Sequence, residues 1–137
     1  MGQKTVIVDS NVLVGLFLPD DALHKKATVL MKSLHDNDYL FAAINLVIQE
    51  SATVISMRKG MQDARLFYQS LDKVIHRVVP LDDSLEKASW EVFLKQTRKG
   101  TSFVDCANLA AMEHYQISKI ASFDRFYAKE LLLGVVQ

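Results

Sequence analysis

The sequence has few of the residues that mark several large classes of protein. Its 137 residues include a single cysteine, Cys106, which excludes an intramolecular disulfide framework and a zinc site built from thiolates. No apolar stretch approaches the ~20 residues of a membrane-spanning helix, and the apolar run near the N-terminus is too short for the core of a secretory signal. Sixteen basic residues balance sixteen acidic ones, so a general basic coat for binding a polyanion is excluded. We therefore expect one soluble, cytoplasmic domain over residues 1–137.

The hydrophobic pattern alternates short β-branched runs with amphipathic stretches, and only five glycines and two prolines interrupt it. Strands that alternate with helices pair in parallel through right-handed crossovers. The pattern predicts a three-layer α/β/α fold with a central twisted parallel sheet of four to five strands. We expect strands at 5–9, 39–44, 74–79 and 117–123, with a fifth, at a sheet edge, at 131–136. We expect helices at 10–18, from 20 or 21 to about 35, at 45–58, at 61–71, from 82 or 83 to an end at 98–100, and from a cap at 101 or 102 to about 115.

Four acidic residues fall where such a sheet would place a functional site. Asp9 is predicted to end the first strand and Asp124 the fourth, Glu50 lies in the second helical turn after the second strand, and Asp105 lies in the first turn of the helix before the fourth strand. Ligands of open parallel sheets bind beyond the carboxyl ends of the strands. We therefore expect the four carboxylates to meet at one edge of the sheet.

Each acid also has an ordinary structural interpretation. Asp9 or Asp124 alone would serve as a turn former or helix cap, and Ser102 with Asp105 matches a helix-capping pattern. Glu50 is harder to explain, because a helical wheel places it on an apolar face that is predicted to be buried. A charge on such a face must be paired, bound to a metal or at the mouth of a cleft.

The acidic group indicates a bound divalent cation. Two carboxylates ~4 Å apart repel each other by ~4 kcal/mol at an effective dielectric constant near 20, so four facing acids need a compensating cation. Oxygen ligands without cysteines or suitably spaced histidines favour Mg²⁺ or Mn²⁺ over zinc. Because such an ion keeps sites open for a phosphate oxygen, the pattern favours metal-assisted hydrolysis of a phosphodiester.

The segments that carry these acids resemble those of the PIN-domain nucleases. Among these, the small single-domain toxins of the VapC type are most similar in length and motif order. The resemblance spans nearly the whole chain and places the four acids on the family's four acidic positions. Two positions depart from the family's usual pattern, since Ser10 and Ser122 stand where threonine is common. The segments are Val6–Leu13, Asn45–Glu50, Ser102–Asn108 and Ala121–Phe126.

The resemblance implies a PIN-like fold, Mg²⁺- or Mn²⁺-dependent endoribonuclease activity and a homodimer. It also implies that the catalytic, metal-binding residues are Asp9, Glu50, Asp105 and Asp124. We expect Asp9, Asp105 and Glu50 to hold the metal directly or through water, and Asp124 to position a second ion or an outer water.

A second set of residues is predicted to support the acids or bind the substrate. Helix capping is our preferred interpretation for Asn11, and for Ser102 and Ser122 a capping or turn role is as well supported as a role beside the metal. Arg98 and Lys99 end a predicted helix, where cations are also favoured by the helix dipole. The supporting candidates are Ser10, Asn11, Ser102, Asn108 and Ser122, and the candidates for contacting RNA phosphates are Arg98, Lys99 and Arg125.

Three functions remain open on the sequence. A VapC-type toxin would have a small VapB-like antitoxin, which we expect to insert an arginine or lysine into the acidic pocket. A free-standing RNA-processing nuclease would carry the same residues without an antitoxin, and a catalytically silent PIN-like module would use the acids to bind a basic partner. Phosphoryl transfer through an aspartyl-phosphate is disfavoured because Asn11 replaces the second aspartate, and no glycine-rich dinucleotide motif is present.

Overall fold

The computed structural model describes residues 4–130 and 134–136. A short 3-10 turn, Leu71–Lys73, precedes the third strand. The other elements follow one another as β1 (Thr5–Val8), α1 (Ser10–Phe17), α2 (His24–Asp36), β2 (Leu40–Ile44), α3 (Asn45–Lys59), α4 (Met61–Ser70), β3 (Arg77–Val79), α5 (Asp83–Leu94), α6 (Phe103–Tyr115), β4 (Lys119–Ala121), α7 (Arg125–Glu130) and β5 (Gly134–Val136).

The strands form one parallel sheet in the order β3-β2-β1-β4-β5. β1 lies at its centre, where Thr5 pairs with Leu40 of β2 and Val6 pairs with Lys119 of β4. The prediction of an α/β fold with a parallel sheet between helices is confirmed. The fifth strand lies at the sheet edge as predicted, although residues 131–133 of the predicted segment lie outside the described residues.

The centre of the sheet is apolar on both faces. Val6, Ile7 and Val8 of β1 are fully buried, and so are most residues of β2, as is typical of parallel strands covered by helices on both sides. Cys106 is buried within α6 and forms no disulfide. Among the described residues, no helix combines the length and apolarity that crossing a bilayer would require.

Several element boundaries differ from the predictions because the capping residues differ. Asp82 caps α5 by accepting a hydrogen bond from the Leu85 amide at 2.9 Å, so of the two predicted starts the helix begins at Asp83. α2 begins at His24, later than predicted, because Asp21 instead accepts a hydrogen bond from the Leu23 amide. α7 was not predicted at all.

The buried face of α3 is also not the one that was predicted. Its buried residues are Val47, Ile48, Ser51 and Ile55, whereas Glu50 is exposed and Met57 is 81% exposed. This helix carries apolar residues on nearly every side, so a helical wheel does not identify its buried face. The neighbouring elements of the fold decide which side is covered.

The central strand is expected to dominate the stability of the fold. Ile7→Ala removes buried atoms from the middle of the sheet and should lower the free energy of unfolding by about 2–5 kcal/mol, measured by urea denaturation. Val29→Ala, at a position on α2 that is 62% exposed, should change it by less than about 0.5 kcal/mol. Equal losses in the two variants would contradict this description of the core.

Candidate active site

Three of the four predicted acids meet at the carboxyl edge of the sheet. Asp9 directly follows β1, Asp105 lies in the first turn of α6, and Asp124 lies between β4 and α7. One carboxylate oxygen of each lies within 4.8 Å of the corresponding oxygens of the other two. They converge because β1 and β4 are adjacent parallel strands. Asp9 lies just beyond the strand that is predicted to include it, and Asp124 lies three residues beyond the end of β4.

Asp9 is the most completely enclosed of the three acids. It is only 3% exposed, and one of its oxygens, Oδ1, accepts hydrogen bonds from the Ser10 amide at 2.9 Å and from Asn108 Nδ2 at 3.2 Å. Its other oxygen, Oδ2, accepts a hydrogen bond from the Ser122 hydroxyl at 2.8 Å. Burial raises the pKa of Asp9, and the hydrogen bonds from Ser122 and from the Ser10 amide oppose the rise. Asp9 therefore has a fixed orientation, and it also caps α1.

Asp105 is partly exposed, and its protonation is poised near neutrality. Burial, followed by the charge of Asp124, raises the pKa of Asp105 to about 7, while a hydrogen bond from Tyr127 opposes the rise. The Tyr127 hydroxyl donates to Asp105 Oδ1 at 3.0 Å. The environment therefore disfavours the negative charge of Asp105 when no cation compensates for it.

Asp124 and Ser122 form a tight turn beside Asp9. Asp124 Oδ1 accepts a hydrogen bond from the Phe126 amide at 2.9 Å, and the Asp124 amide donates to the Ser122 hydroxyl at 3.0 Å. Because the Ser122 hydroxyl also donates to Asp9, it links two of the acids. Ser122 thus has both of the roles that the sequence left open, in the turn and beside the acids.

Asn108 lies behind the acids, and Tyr127 lies beside it. Both are fully buried, and Asn108 Nδ2 donates to the Tyr127 hydroxyl at 2.9 Å as well as to Asp9. These contacts place Asn108 next to Asp9, and its supporting role in the site remains a prediction. Sequence reasoning missed Tyr127 because the helix that carries it was not predicted, and no motif marks a tyrosine three residues after Asp124.

The remaining candidates lie around this centre in other roles. Ser102 caps α6 by accepting a hydrogen bond from the Val104 amide at 3.1 Å. Asn11 does not cap a helix, contrary to the prediction, because its Oδ1 accepts a hydrogen bond from the Phe123 amide at 3.3 Å. Ser10 contributes its backbone amide to Asp9. Glu50 lies outside the group of three acids, although its charge contributes to raising the pKa of Asp9.

A cleft of about 410 Å³ opens beside the acids. Asp105 and Asp124 line it together with the three predicted phosphate-binding residues Arg98, Lys99 and Arg125. None of these three cations takes part in the ion pairs found among residues 4–130 and 134–136. In contrast, Arg58 and Lys59 pair with aspartates at 2.6 and 2.7 Å, so their charges are already partly neutralised.

The donors of the acidic group fit a hard divalent cation. All of them are carboxylate oxygens, and no histidine or cysteine belongs to the group. None of the ion pairs within the described part of the chain involves Asp9, Asp105 or Asp124. A Mg²⁺ or Mn²⁺ ion held by these three residues would therefore compensate a charge that the protein leaves unpaired.

Known proteins resemble this chain over nearly its whole length. The PIN-domain family model matches residues 6–129. Ribonuclease VapC6 of Methanocaldococcus jannaschii is 21% identical to it, over 100% of this chain and 99% of the relative. The crystal structure of Mycobacterium tuberculosis VapC20, a toxin that cleaves the sarcin-ricin loop, has 26% sequence identity and a TM-score of 0.78, covering 93% of this chain and 96% of that one.

Two further solved structures share the fold at low sequence identity. VapBC2 from Rickettsia felis, bound to a DNA fragment from its promoter, is 12% identical with a TM-score of 0.68. FitAcB from Neisseria gonorrhoeae is 16% identical with a TM-score of 0.67. In both comparisons 96% of each chain is covered. Because the family model spans all three clustered acids, this chain belongs to the PIN-domain family, and within it resembles the single-domain VapC type.

Proposed function

We propose that this protein is a divalent-metal-dependent endoribonuclease and the toxin of a VapBC-type toxin–antitoxin pair. The observation that carries the proposal is the convergence of Asp9, Asp105 and Asp124 beside a cleft whose cations form no ion pair among the described residues. The similarity to VapC6, named a ribonuclease, and to VapC20, a toxin that cleaves the sarcin-ricin loop, supports RNA as the substrate. We also propose a cytoplasmic location, where an RNA substrate of this kind would be encountered.

The three clustered acids are the residues that would hold Mg²⁺ or Mn²⁺. When bound, such a cation acidifies water and screens the charge that develops on the phosphate. Glu50 is exposed and lies outside the cluster. It would act on the metal through a water molecule, and we therefore keep it among the four proposed catalytic residues. The hydrogen bonds from Ser122 and Asn108 keep Asp9 oriented toward the other two acids.

The cations of the cleft would bind the RNA backbone. Arg98 and Lys99 reach the cleft from the segment between α5 and α6, and Arg125 reaches it from the first turn of α7. Phosphates on either side of the reacting bond would therefore meet positive charge while the reacting phosphate lies at the acids. This local arrangement allows a chain with no net charge to bind a polyanion.

Two kinds of protein partner belong to the proposal. A homodimer is supported by large apolar side chains that are exposed on α3 and α4, among them Met57, Met61 and Tyr68 at 81%, 57% and 71%. The structural similarity to VapBC2 and FitAcB supports a small VapB-like antitoxin. A short DNA-binding protein encoded beside this gene would separate the toxin from a free-standing RNA-processing nuclease.

Asp105→Asn should abolish Mg²⁺- or Mn²⁺-dependent cleavage of an RNA pool. The substitution removes one charged ligand of a site that needs three, while the amide preserves the size of the side chain. Cleavage is measured by mapping 5′ ends, and circular dichroism should be unchanged. Asp72→Asn, at an exposed position outside the acidic group, is the matched control and should retain activity. Undiminished cleavage by Asp105→Asn would sink the proposed function.

The same substitution should stabilise the metal-free protein at alkaline pH. Because the pKa of Asp105 is raised to about 7, the folded state retains a proton that the unfolded chain loses near pH 4. The wild type therefore loses stability as the pH rises from about 4 to about 7, whereas the asparagine variant has no ionisable group at this position. After allowance for solvent screening, we expect the variant to be more stable by roughly 1–2 kcal/mol at about pH 8.

The measurement is urea denaturation of both proteins in the presence of a chelator. Near pH 4 the advantage of the variant should vanish, because Asp105 is protonated in the wild type. At about pH 8, added Mn²⁺ should stabilise the wild type more than the variant, because a ligand that binds the folded state stabilises it. A difference between the proteins that does not change with pH would contradict the raised pKa.

Lys99→Gln and Arg125→Gln should weaken RNA binding without weakening Mn²⁺ binding. Each variant should raise KM for RNA severalfold. The slope of log affinity against log salt concentration should become less negative by about 1, because one phosphate contact is lost. Arg65→Gln, on an exposed position of α4 outside the cleft, is the matched control. Salt dependence identical to that of the wild type in both cleft variants would exclude these residues from phosphate binding.

A further inference from the structure

Tyr127 places a hydroxyl group among the acids from a helix that no sequence motif marks. Its side chain is fully buried, and its hydroxyl oxygen has two partners within the site. The hydroxyl donates to Asp105 Oδ1 at 3.0 Å and accepts a hydrogen bond from Asn108 Nδ2 at 2.9 Å. Since the hydroxyl has a single hydrogen, its only donation goes to Asp105.

Asn108 extends this contact to the second acid. The two hydrogens of its Nδ2 atom point to the Tyr127 hydroxyl and to Asp9 Oδ1, which lies at 3.2 Å. Asp9, Asn108, Tyr127 and Asp105 thus form a continuous chain of hydrogen bonds across the back of the acidic cluster. Both linking groups are neutral, and each donates toward a carboxylate, so the chain orders the two acids without neutralising them.

The chemistry of both linking residues suits this task. A tyrosine hydroxyl ordinarily ionises only at about pH 10, so at neutral pH it is protonated and serves as a donor. Asn108 Oδ1 is buried and has no hydrogen-bond partner within the described residues. An unsatisfied buried acceptor costs stability, and a leucine there would avoid that cost but would lose both donors. The presence of asparagine at this position is therefore better explained by the two hydrogen bonds that its Nδ2 atom donates.

We propose that Tyr127 is a positioning residue whose hydroxyl, through Asn108, holds Asp105 in the orientation relative to Asp9 that binding of a divalent cation requires. This inference rests on the proposed function. A purely structural tyrosine would need its ring to fill the core and to contact Phe126, whose ring lies at a centroid distance of 5.2 Å. Phenylalanine would serve that purpose equally well, so removal of the hydroxyl alone separates the two roles.

The test compares Tyr127→Phe with the wild type in Mn²⁺ affinity, in KM for RNA and in cleavage as a function of Mn²⁺ concentration. Free Mn²⁺ is measured by electron paramagnetic resonance. We expect about 10- to 100-fold weaker Mn²⁺ binding, the usual cost of removing a partner of a metal ligand. KM for RNA should be unchanged, and saturating Mn²⁺ should restore cleavage, which it cannot do in Asp105→Asn.

Tyr39→Phe is the matched control for this experiment. Its hydroxyl accepts a hydrogen bond from Lys119 Nζ at 2.6 Å, at the amino end of β4 and away from the acids, so its loss should leave Mn²⁺ affinity unchanged. Should Tyr127→Phe fail to fold, Asn108→Leu interrupts the same chain of hydrogen bonds and should weaken Mn²⁺ binding in the same way.

The outcomes separate this inference from the proposed function. A wild-type protein that binds no Mn²⁺ would refute both. A second outcome would refute only the positioning role: Mn²⁺ binding is lost in Asp105→Asn but stays within about twofold of the wild type in Tyr127→Phe. Where Asn108→Leu replaces Tyr127→Phe, the same criterion applies to it. Under this second outcome the tyrosine contributes only to packing, and the substitution would do no more than lower the melting temperature.

Discussion

Repulsion among three neighbouring carboxylates is the constraint on which this site depends. At a separation of about 4 Å, each pair costs on the order of 4 kcal/mol at an effective dielectric constant near 20. The protein does not relieve this repulsion with its own cations, since the ion pairs of the described residues all lie elsewhere. It surrounds the acids with neutral donors instead, from Ser122, Asn108 and Tyr127. The unrelieved charge is what makes the site suited to a divalent cation.

The fold supplies the rigidity that holds such a cluster together. Asp9 follows the fully buried central strand, and the turn with Asp124 follows the adjacent parallel strand, so the pairing of these strands holds the two segments side by side. Asp105 comes from α6, most of which is buried. Apolar burial of this extent outweighs the local electrostatic cost, and an active site commonly lowers the stability of its own protein in this way.

Charge of the opposite sign is kept at the edge of the cleft. Arg98, Lys99 and Arg125 line the same cleft as two of the acids and form no ion pair within the described part of the chain, whereas Arg58 and Lys59 are engaged with aspartates. A polyanionic substrate would meet these free cations before its phosphate approached the carboxylates. The distribution of charge, which the net value of zero conceals, therefore matches the requirements of a nuclease that uses a metal ion.

The sequence by itself determined the parallel α/β fold and which acids to consider, because strand and helix patterns are local and the ends of parallel strands must share an edge. It could not determine the exposure of Glu50, since α3 is apolar on nearly every side and only its neighbours select the covered face. Nor could it find Tyr127, whose partners Asp105 and Asn108 lie 22 and 19 residues away. Those contacts exist only because the packing of α7 against α6 brings distant side chains together, and tertiary structure alone decides that.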